Sequence, residues 1–281
     1  MKIVITGSNG RVGGALVDFL RGAGHEVIPL RREDVDLGRH SALRGALESL
    51  DYDAWVNPAA LSSPDLCERD PALSQAVNAT APALMADVCR ARDKYLLHFS
   101  TDYVYSGKDP GKRTEQDPAE PINHYGRSKR EGELAVLASG ARATVLRVSW
   151  VYGAKVPAFV EQCLQRFASA ESTHAIADKW SIPTAMPDLS AWVDFLLTAQ
   201  PGGVLHGCHG GEPVSWHGIA MALREILPPA GDCPIHATRL ADAKHFAAAR
   251  PIHTAMDNQL LSSLLPRPID DWREAMRRVI T

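Results

Sequence analysis

The feature that most constrains the fold is a glycine-rich turn near the amino terminus, Gly7-Ser8-Asn9-Gly10-Arg11-Val12-Gly13. It follows a short β-rich run, Lys2–Thr6, and opens a stretch with an apolar period of about 3.6 residues, Arg11–Arg21. Glycines at this spacing let the backbone turn sharply and approach a pyrophosphate, which the free N–H groups of the helix N-terminus favour. A glycine-rich turn without a ligand is the alternative. The segment predicts a dinucleotide site with these cofactor-binding residues: Gly7, Asn9, Gly10, Arg11, Val12 and Gly13.

The rest of the first half alternates short apolar runs with longer amphipathic segments. The predicted strands are Lys2–Thr6, Glu26–Leu30, Ala54–Asn57, Tyr95–Ser100 and Ala143–Ser149, and the predicted helices are Arg11–Arg21, Ser41–Ser49, Ala72–Arg92 and Tyr125–Ala138. Pro82 lies inside the longest helix and is expected to kink or break it. This alternation indicates βαβ units. We therefore predict an α/β fold with a Rossmann-type parallel sheet, helices on both of its faces, and a smaller mixed α/β lobe.

The second half has a looser α/β pattern and many prolines. Its predicted helices are Ala158–Ala170, Asp188–Thr198, Ser215–Ile226 and Asp270–Val279, and its predicted strands are Val204–Gly207 and Ile235–Thr238. No repeat or low-complexity linker separates the halves. We expect residues 1–153, with a return segment at about 185–208, to form a cofactor-binding domain. Residues 154–184 and 209–281 would form the smaller substrate-binding lobe.

The composition argues against several classes of protein. With 281 residues, 45% of them hydrophobic, the chain can build one large or two coupled domains and is too apolar for disorder. Its net charge of −3 argues against nucleic acid or an anionic membrane as the main partner, because both need a concentrated basic face. The five cysteines form no C-x-x-C pair, and no apolar run reaches about 18 residues. We expect a cytoplasmic protein without a signal peptide, membrane span, zinc site or disulfide framework.

The residues after the second predicted strand bear on the choice of cofactor. A carboxylate there would bind the 2′-hydroxyl of an adenosine ribose, whereas this chain has Arg31 and Arg32. Two guanidinium groups could pair with a 2′-phosphate. The alternative is that both are ordinary surface arginines. We expect NADP(H) to be preferred and NAD(H) to be possible.

A tyrosine and a lysine stand four residues apart on the helix after the fourth predicted strand. Tyr125 and Lys129 share one helix face, and a nearby ammonium is expected to lower the pKa of the phenol. Such a tyrosine can exchange a proton with a carbonyl or alcohol oxygen. Thr101 ends the fourth strand, where side chains of an open α/β sheet line the ligand crevice. An exposed helix pair and a loop-capping hydroxyl are the alternatives to a catalytic set of Thr101, Tyr125 and Lys129.

Together these features resemble the extended short-chain dehydrogenase/reductase superfamily and, within it, the dTDP-4-dehydrorhamnose reductases. The resemblance covers the chain almost from end to end. It rests on the segments ITGSNGRVGGAL, VNPAALSSPDLCE, AVNATAPALM, HFSTDYVYSG, EPINHYGRSKREGE, LRVSWVYG, DKWSIPT and RPIHTAMDN. It implies an enzyme of dTDP-L-rhamnose biosynthesis, in which NADPH reduces the C4 ketone of a dTDP-4-dehydro-6-deoxy sugar.

The resemblance also implies roles for individual residues. Tyr125 would protonate the nascent alkoxide, Lys129 would hold the nicotinamide ribose, and Thr101 would hydrogen-bond the ketone oxygen. The further dinucleotide contacts would be Asp36, Leu37, Asn57 and Ala59. The sugar nucleotide would meet Asp102, Tyr103, Trp150 and, through a guanidinium–diphosphate pair, Arg250.

The chain departs from the family pattern in places. Pro58 follows Asn57 where an alanine is usual, so one backbone donor is missing. Some relatives dimerise through a magnesium site built on glutamates. This chain offers Pro187 and Asp188 instead, so we expect no metal, although a homodimer is possible. His206 is expected to be structural.

Two other functions remain open at this point. One is a sugar-nucleotide epimerase or dehydratase of the same superfamily. Dehydratases carry Thr-Asp-Glu at the strand end, whereas this chain has Thr101-Asp102-Tyr103. The other is a non-catalytic cofactor-binding subunit that resembles the regulatory β subunit of methionine adenosyltransferase. The intact Thr101, Tyr125 and Lys129 disfavour it.

Overall fold

The structure is a computed structural model, which describes residues 1–229 and 231–281. Its strands are β1 Lys2–Thr6, β2 Glu26–Leu30, β3 Ala54–Asn57, β4 Tyr95–Thr101, β5 Ala143–Val148, β6 Val151–Tyr152, β7 Thr173–Ile176, β8 Trp180–Ser181, β9 Thr184–Ala185, β10 Gly203–Gly207, β11 Val214–Ser215 and β12 Ile235–Thr238. Its α-helices are α1 Arg11–Gly22, α2 His40–Ser49, α3 Pro64–Arg69, α4 Pro71–Gln75, α5 Ala81–Ala91, α6 His124–Ala138, α7 Phe159–Ala168, α8 Met186–Ala199, α9 Trp216–Ile226, α10 Gln259–Leu264 and α11 Trp272–Ile280. Within these described ranges, none of the helices combines the length and apolar character that crossing a membrane requires.

A parallel sheet in the order β10-β5-β4-β3-β1-β2 combines strands from residues 2–148 with β10 from later in the chain. Alternate residues of β1 enter different cores: Ile3 and Ile5 pack on one face of the sheet, and Val4 packs on the other. The first face is covered by α1 and α8, and the second by α2 and α5. The predicted Rossmann-type fold with helices on both faces is therefore confirmed.

The long helix predicted over Ala72–Arg92 is interrupted. A π-helical segment, Ala76–Thr80, lies between α4 and α5, and Pro82 is one of the first two residues of α5. Proline has no N–H to give to a carbonyl in the preceding turn, so the regular helical ladder cannot pass through this point. The interruption that Pro82 was expected to cause is confirmed.

A second apolar core lies beside the carboxyl ends of β4 and β5. It contains residues of α7, α9 and α11, among them Phe167, Leu223 and Trp272. The chain leaves the sheet after β5 and returns to it as β10, which pairs with β5 in parallel. This packing supports the predicted division into two lobes, whose exact boundaries stay a prediction.

Candidate active site

A cavity of about 770 Å³ lies between the carboxyl ends of the sheet strands and the second core. One end is formed by the glycine-rich turn, and the other by Trp150, α7 and α9. Most of the predicted site residues line it: Gly7, Asn9, Gly10, Arg11, Val12, Gly13, Arg32, Asp36, Leu37, Ala59, Thr101, Asp102, Tyr103, Tyr125, Lys129 and Trp150. Arg31, Asn57 and Arg250 are the predicted residues that the structure leaves outside the lining.

The glycine-rich turn is shaped as a cradle. Gly7 has a φ of +63°, a conformation that L side chains rarely adopt, and a Cβ on Gly13 would overlap the carbonyl of Gly7. Gly10 caps α1 without a side chain, so the backbone N–H groups of the first turn face the cavity unscreened. These features fit a pyrophosphate bound at the start of α1.

The two arginines after β2 differ in their surroundings. Arg31 forms ion pairs with Glu33 at 2.6 Å and with Asp34 at 3.3 Å, which balance its charge. Arg32 lines the cavity, is largely exposed, and lies 3.8 Å from Asp36. Arg32 is therefore the better placed of the two to meet a phosphate on an adenosine ribose.

Tyr125 is held in the first turn of α6 by packing and by a helix cap. Asn123 caps α6 by accepting a hydrogen bond from the Gly126 N–H at 2.8 Å. The ring of Tyr125 meets the ring of Tyr103 edge to face, with centroids 5.7 Å apart. Burial raises the pKa of Tyr125, and the neighbouring Thr101 hydroxyl opposes that shift. The net direction is therefore opposite to the expected lowering, since burial is the largest effect on the pKa of Tyr125.

Lys129 is anchored on the inner side of α6. Its ammonium donates to the Phe99 carbonyl at 2.6 Å and lies 3.3 Å from Nε2 of His98. Burial lowers the pKa of Lys129 to about 8, and the nearby Glu133 and Cys67 act in the opposite direction. The side chain still lines the cavity, so it presents its charge to a bound molecule beside Tyr125.

Asn57 contacts His98, which in turn contacts Lys129. It is fully buried and hydrogen-bonds with Thr6 at 2.6 Å and with His98 at 3.1 Å. Its expected contact with the dinucleotide stays a prediction, although its side chain is committed to these partners. His98 was not identified from the sequence, because a lone histidine within an apolar strand carries no spacing signal.

Asp102 is a buried carboxylate at the junction of the two lobes. It accepts hydrogen bonds from Thr254 at 2.5 Å and from Ser181 at 3.2 Å, and it lies 3.2 Å from the Thr101 hydroxyl. Burial raises its pKa, opposed by the charge of Lys179 and by these hydroxyl groups. Asp102 thus fixes the end of β4 against the segment that carries Ser181.

Lys179 is a second functional candidate that sequence reasoning missed. It is 1% exposed, and within the described residues its ammonium has no hydrogen-bond partner. The ammonium faces the rings of Tyr103 and Trp150, both of which line the cavity. Burial lowers the pKa of Lys179 to about 8, with Asp102 opposing the shift. Its motif, DKWSIPT, was visible in the sequence, but the contact depends on the fold.

Arg250 lies close to the site without facing the cavity. Its guanidinium donates to Asp65 at 2.6 Å, rests on the Phe246 ring at 4.3 Å, and is nearly buried. Asp65 also accepts from the backbone N–H groups of Ala247 and Ala248. The pairing of Arg250 with a substrate diphosphate stays a prediction, and it would require this arginine to leave Asp65.

His206 is held within a buried polar network. Its ring lies 2.8 Å from the Tyr105 hydroxyl and 2.7 Å from the Asp257 carbonyl, and burial lowers its pKa to about 4. These contacts agree with a structural role. In the part of the chain that the structure describes, no group of three His, Cys, Asp or Glu side chains is arranged to hold a metal ion.

Comparison with known protein families identifies the family of this chain. The profile of the RmlD substrate binding domain matches residues 1–281. The chain belongs to this family. The dTDP-4-dehydrorhamnose reductase of Burkholderia thailandensis is 33% identical over 292 residues, which cover 98% of this chain and 97% of that protein. The sequence-based resemblance is therefore confirmed.

Two further relatives extend the comparison. A probable dTDP-4,6-dihydroxy-2-methyloxan-3-one 4-ketoreductase of Streptomyces antibioticus is also 33% identical, over 99% of this chain and 94% of that protein. The crystal structure of a dTDP-4-dehydrorhamnose reductase from Clostridium acetobutylicum superposes with a TM-score of 0.91. It shares 26% identity and covers 100% of this chain and 98% of that one.

Proposed function

We propose that the protein is an NADPH-dependent reductase of the C4 ketone of a dTDP-4-dehydro-6-deoxy sugar, as in dTDP-L-rhamnose biosynthesis. The observation that carries this proposal is one continuous cavity. It begins at the glycine cradle of α1 and continues past Thr101, Tyr125 and Lys129, which all line it. The same catalytic set is expected from the sequence, and the named relatives are dTDP-sugar ketoreductases.

The side chains suit protonation of an oxygen on the substrate. A bound reduced nicotinamide supplies the hydride. Tyr125 gives its proton to the alkoxide, and its raised pKa keeps the phenol protonated at neutral pH. Thr101 donates a hydrogen bond to the same oxygen, and Lys129 binds ribose hydroxyls with its remaining N–H group. In the structure the single hydroxyl proton of Thr101 points to Asp102, so Thr101 turns it to the substrate oxygen when the substrate binds. Tyr103 and Trp150 bound the place of the sugar ring.

The cofactor preference rests on Arg32. A 2′-phosphate beside Arg32 would form a charge-assisted pair, whereas the 2′-hydroxyl of NAD(H) would gain little from it. Asp36 and Leu37 line the same part of the cavity, where the adenine would lie. We therefore place NADP(H) ahead of NAD(H).

The identity of the sugar is the finer part of the proposal. The Burkholderia and Streptomyces relatives are equally identical to this chain and bear different substrate names. The common chemistry is a ketone at C4 of a dTDP-linked 6-deoxy or dideoxy hexose. A homodimer and a cytoplasmic location accompany the proposal as predictions.

The test is consumption of NADPH by the purified protein with dTDP-4-dehydrorhamnose, compared with dTDP-4-dehydro-6-deoxyglucose. We expect stoichiometric oxidation of NADPH and a product reduced at C4, identified by mass spectrometry and NMR. The matched control is Tyr125→Phe, which should bind NADPH and turn over poorly. Binding of NADPH without turnover of any dTDP-4-keto sugar would favour the non-catalytic subunit. A product with inverted stereochemistry and no net oxidation would favour an epimerase.

A further inference from the structure

His98 stands directly behind Lys129, on the sheet rather than on the catalytic helix. Its side chain is fully buried in the middle of β4. Nε2 of the ring lies 3.3 Å from Nζ of Lys129, and Nδ1 lies 3.1 Å from the Asn57 side-chain amide. The imidazole therefore bridges α6 and β3.

The polar contacts continue across the sheet from Asn57. The other end of its amide lies 2.6 Å from Oγ1 of Thr6, which lies 3.4 Å from the Val56 carbonyl. Thr6, Asn57 and His98 are all buried. Buried polar groups are costly unless they are hydrogen-bonded. Here they form a chain across β4, β3 and β1, hereafter the Thr6–Lys129 chain.

When Lys129 is charged, the hydrogen bonds of the Thr6–Lys129 chain must all run in one direction. A neutral imidazole has one donor and one acceptor nitrogen. An ammonium that donates to Nε2 of His98 leaves the proton on Nδ1, which donates to the amide oxygen of Asn57 only after a half-turn of the amide, because the amide nitrogen faces Nδ1 in the structure. The amide nitrogen then donates to Thr6, whose hydroxyl donates to the Val56 carbonyl. Every polar group in the chain is satisfied.

The Thr6–Lys129 chain fits an uncharged Lys129 when every bond reverses, and this is the direction in which the structure places the Asn57 amide. His98 then donates through Nε2 to the amine, Asn57 donates to Nδ1, and Thr6 donates to the amide oxygen. The reversal needs only a half-turn of the amide and a change of imidazole tautomer. The protonation of Lys129 is thus linked to a buried network that ends on β1.

The charges around this pair keep His98 neutral. Burial and the charge of Lys129 lower the pKa of His98 well below its ordinary value. Glu133, on the same helix, and Cys67, on α3, both raise the pKa of Lys129. The Phe99 carbonyl accepts a hydrogen bond from one N–H group of the ammonium, and His98 accepts a hydrogen bond from a second. One N–H group remains for the cavity.

We propose that His98 is a positioning residue that holds Lys129 in its charged form and aims its remaining N–H group at the cofactor ribose. The contact between Lys129 and the ribose rests on the proposed function, whereas the hydrogen bonds among Lys129, His98 and Asn57 do not. Without an acceptor at Nε2, the buried ammonium loses a charge-assisted hydrogen bond. The amine form then becomes favoured and the pKa of Lys129 falls.

A matched pair of variants separates the two ring nitrogens. His98→Gln places an amide near the position of Nε2 and keeps the partner of Lys129. His98→Asn places an amide near Nδ1 and removes that partner. The pKa of Lys129 is measured by NMR titration of its labelled side chain in the cofactor-free protein, with NADPH affinity and the pH profile of kcat measured alongside.

We expect His98→Asn to lower the pKa of Lys129 by about one unit and to weaken NADPH binding about tenfold. The alkaline limb of the kcat profile should move by the same amount. His98→Gln should keep the Lys129 titration close to that of the unmodified protein. Equal titrations in both variants and the unmodified protein would overturn the proposal.

Thr6→Val provides a second test if His98→Asn does not fold. It breaks the far end of the Thr6–Lys129 chain with a side chain of similar shape. The pKa of Lys129 should shift in the same direction by a smaller amount, and an unchanged value would contradict the chain. Because this titration needs neither cofactor nor turnover, failure to reduce a dTDP-4-keto sugar would reject the proposed function while leaving the titration result to stand.

Discussion

The ammonium of Lys179 lies 5.1 Å from the centre of the Trp150 ring. The backbone of Trp150 itself is left-handed, with a φ of +42°. A left-handed conformation costs about 1–3 kcal/mol for a residue with a bulky side chain, so it persists only where its surroundings fix it. The Thr184 N–H donates to the Trp150 carbonyl at 3.3 Å, and the ring packs on Trp216. Lys179 therefore contributes to the placement of a ring that lines the cavity.

Lys179→Met is expected to raise KM for the nucleotide sugar roughly 3- to 30-fold, the range of a cation–π interaction of about 0.5–2 kcal/mol. The kcat should change little, because Lys179 does not itself line the cavity and acts through the ring of Trp150. Thermal denaturation should show no loss of Tm, since a buried ammonium without a hydrogen bond is costly. The exposed Lys108→Met is the matched control.

The pH dependence of this effect has a defined sign. The pKa of Lys179 is lowered to about 8, so its charge is lost as the pH rises through that value. KM of the unmodified protein should rise between pH 7 and pH 9, and Lys179→Met should remove that rise. The stability gained by the methionine should be largest below pH 8 and should shrink above it, because the penalty falls on the charged form.

Tyr125→Phe is expected to lower kcat by roughly 10²–10⁴, the usual contribution of a general acid. The phenyl ring keeps the edge-to-face packing with Tyr103, so Tm and NADPH affinity should remain close to their original values. Steady-state kinetics and fluorescence titration with NADPH measure the two effects separately. A variant that keeps most of its turnover would exclude Tyr125 as the proton donor.

Arg32→Ala is expected to reduce the preference for NADPH over NADH at least tenfold, since a charge-assisted pair contributes about 1.5–3 kcal/mol. Arg31→Ala is the control, because Arg31 already pairs with Glu33 and Asp34 outside the cavity. The ratio of kcat/KM for the two cofactors is measured in both variants. An equal loss in both, or a loss only in Arg31→Ala, would contradict the assignment to Arg32.

That Thr101, Tyr125 and Lys129 line one cavity could be predicted because their sequence signals are local. The helical spacing of Tyr125 and Lys129 fixes their shared face, and the strand end fixes Thr101 beside the crevice. The pKa of Tyr125 could not be predicted, because residue spacing carries no information about burial. Lys179 reaches the site only when the chain returns from the second lobe, a contact between distant segments. The two-residue strands, such as β8 and β9, are too short to produce a period.

A buried ion pair stabilises the sheet behind the site. Arg147 on β5 donates to both carboxylate oxygens of Glu133, at 2.8 Å and 2.7 Å, and to the Tyr105 hydroxyl at 2.7 Å. The arginine lowers the pKa of Glu133 despite its burial. The carboxylate therefore stabilises the fold above its ordinary pKa, and this contribution is lost as the pH falls through the lowered value.

Glu133→Gln is expected to lower the free energy of unfolding at pH 7 by about 3–5 kcal/mol, because it leaves Arg147 buried without its counter-charge. Glu131→Gln, on the exposed face of the same helix, should change it by less than about 0.5 kcal/mol. Urea denaturation measures both. Similar stabilities for the two variants would show that the pair contributes no more than a surface charge.

Asp65 and Arg250 connect α3 to the segment 247–250, which contacts the start of α6. Asp65 accepts from Ala247, Ala248 and Arg250, and the Asn123 amide donates to the Ala249 carbonyl at 2.7 Å. The segment 247–250 is thus tied both to α3 and to the start of the helix that carries Tyr125. An arginine in this place can act as a latch, or it can leave Asp65 for a diphosphate.

Two substitutions distinguish these roles of Arg250. If it binds the diphosphate, Arg250→Ala should raise KM for the nucleotide sugar at least tenfold, about 1.4 kcal/mol, and leave NADPH affinity unchanged. Asp65→Asn should then leave KM unchanged or lower it, because it releases the guanidinium for the substrate. If Arg250 serves only as a latch, both variants should raise KM to a similar degree and lower Tm together. Measurement of KM, NADPH affinity and Tm for the two variants decides the matter, and a parallel rise of KM in both would reject the diphosphate contact.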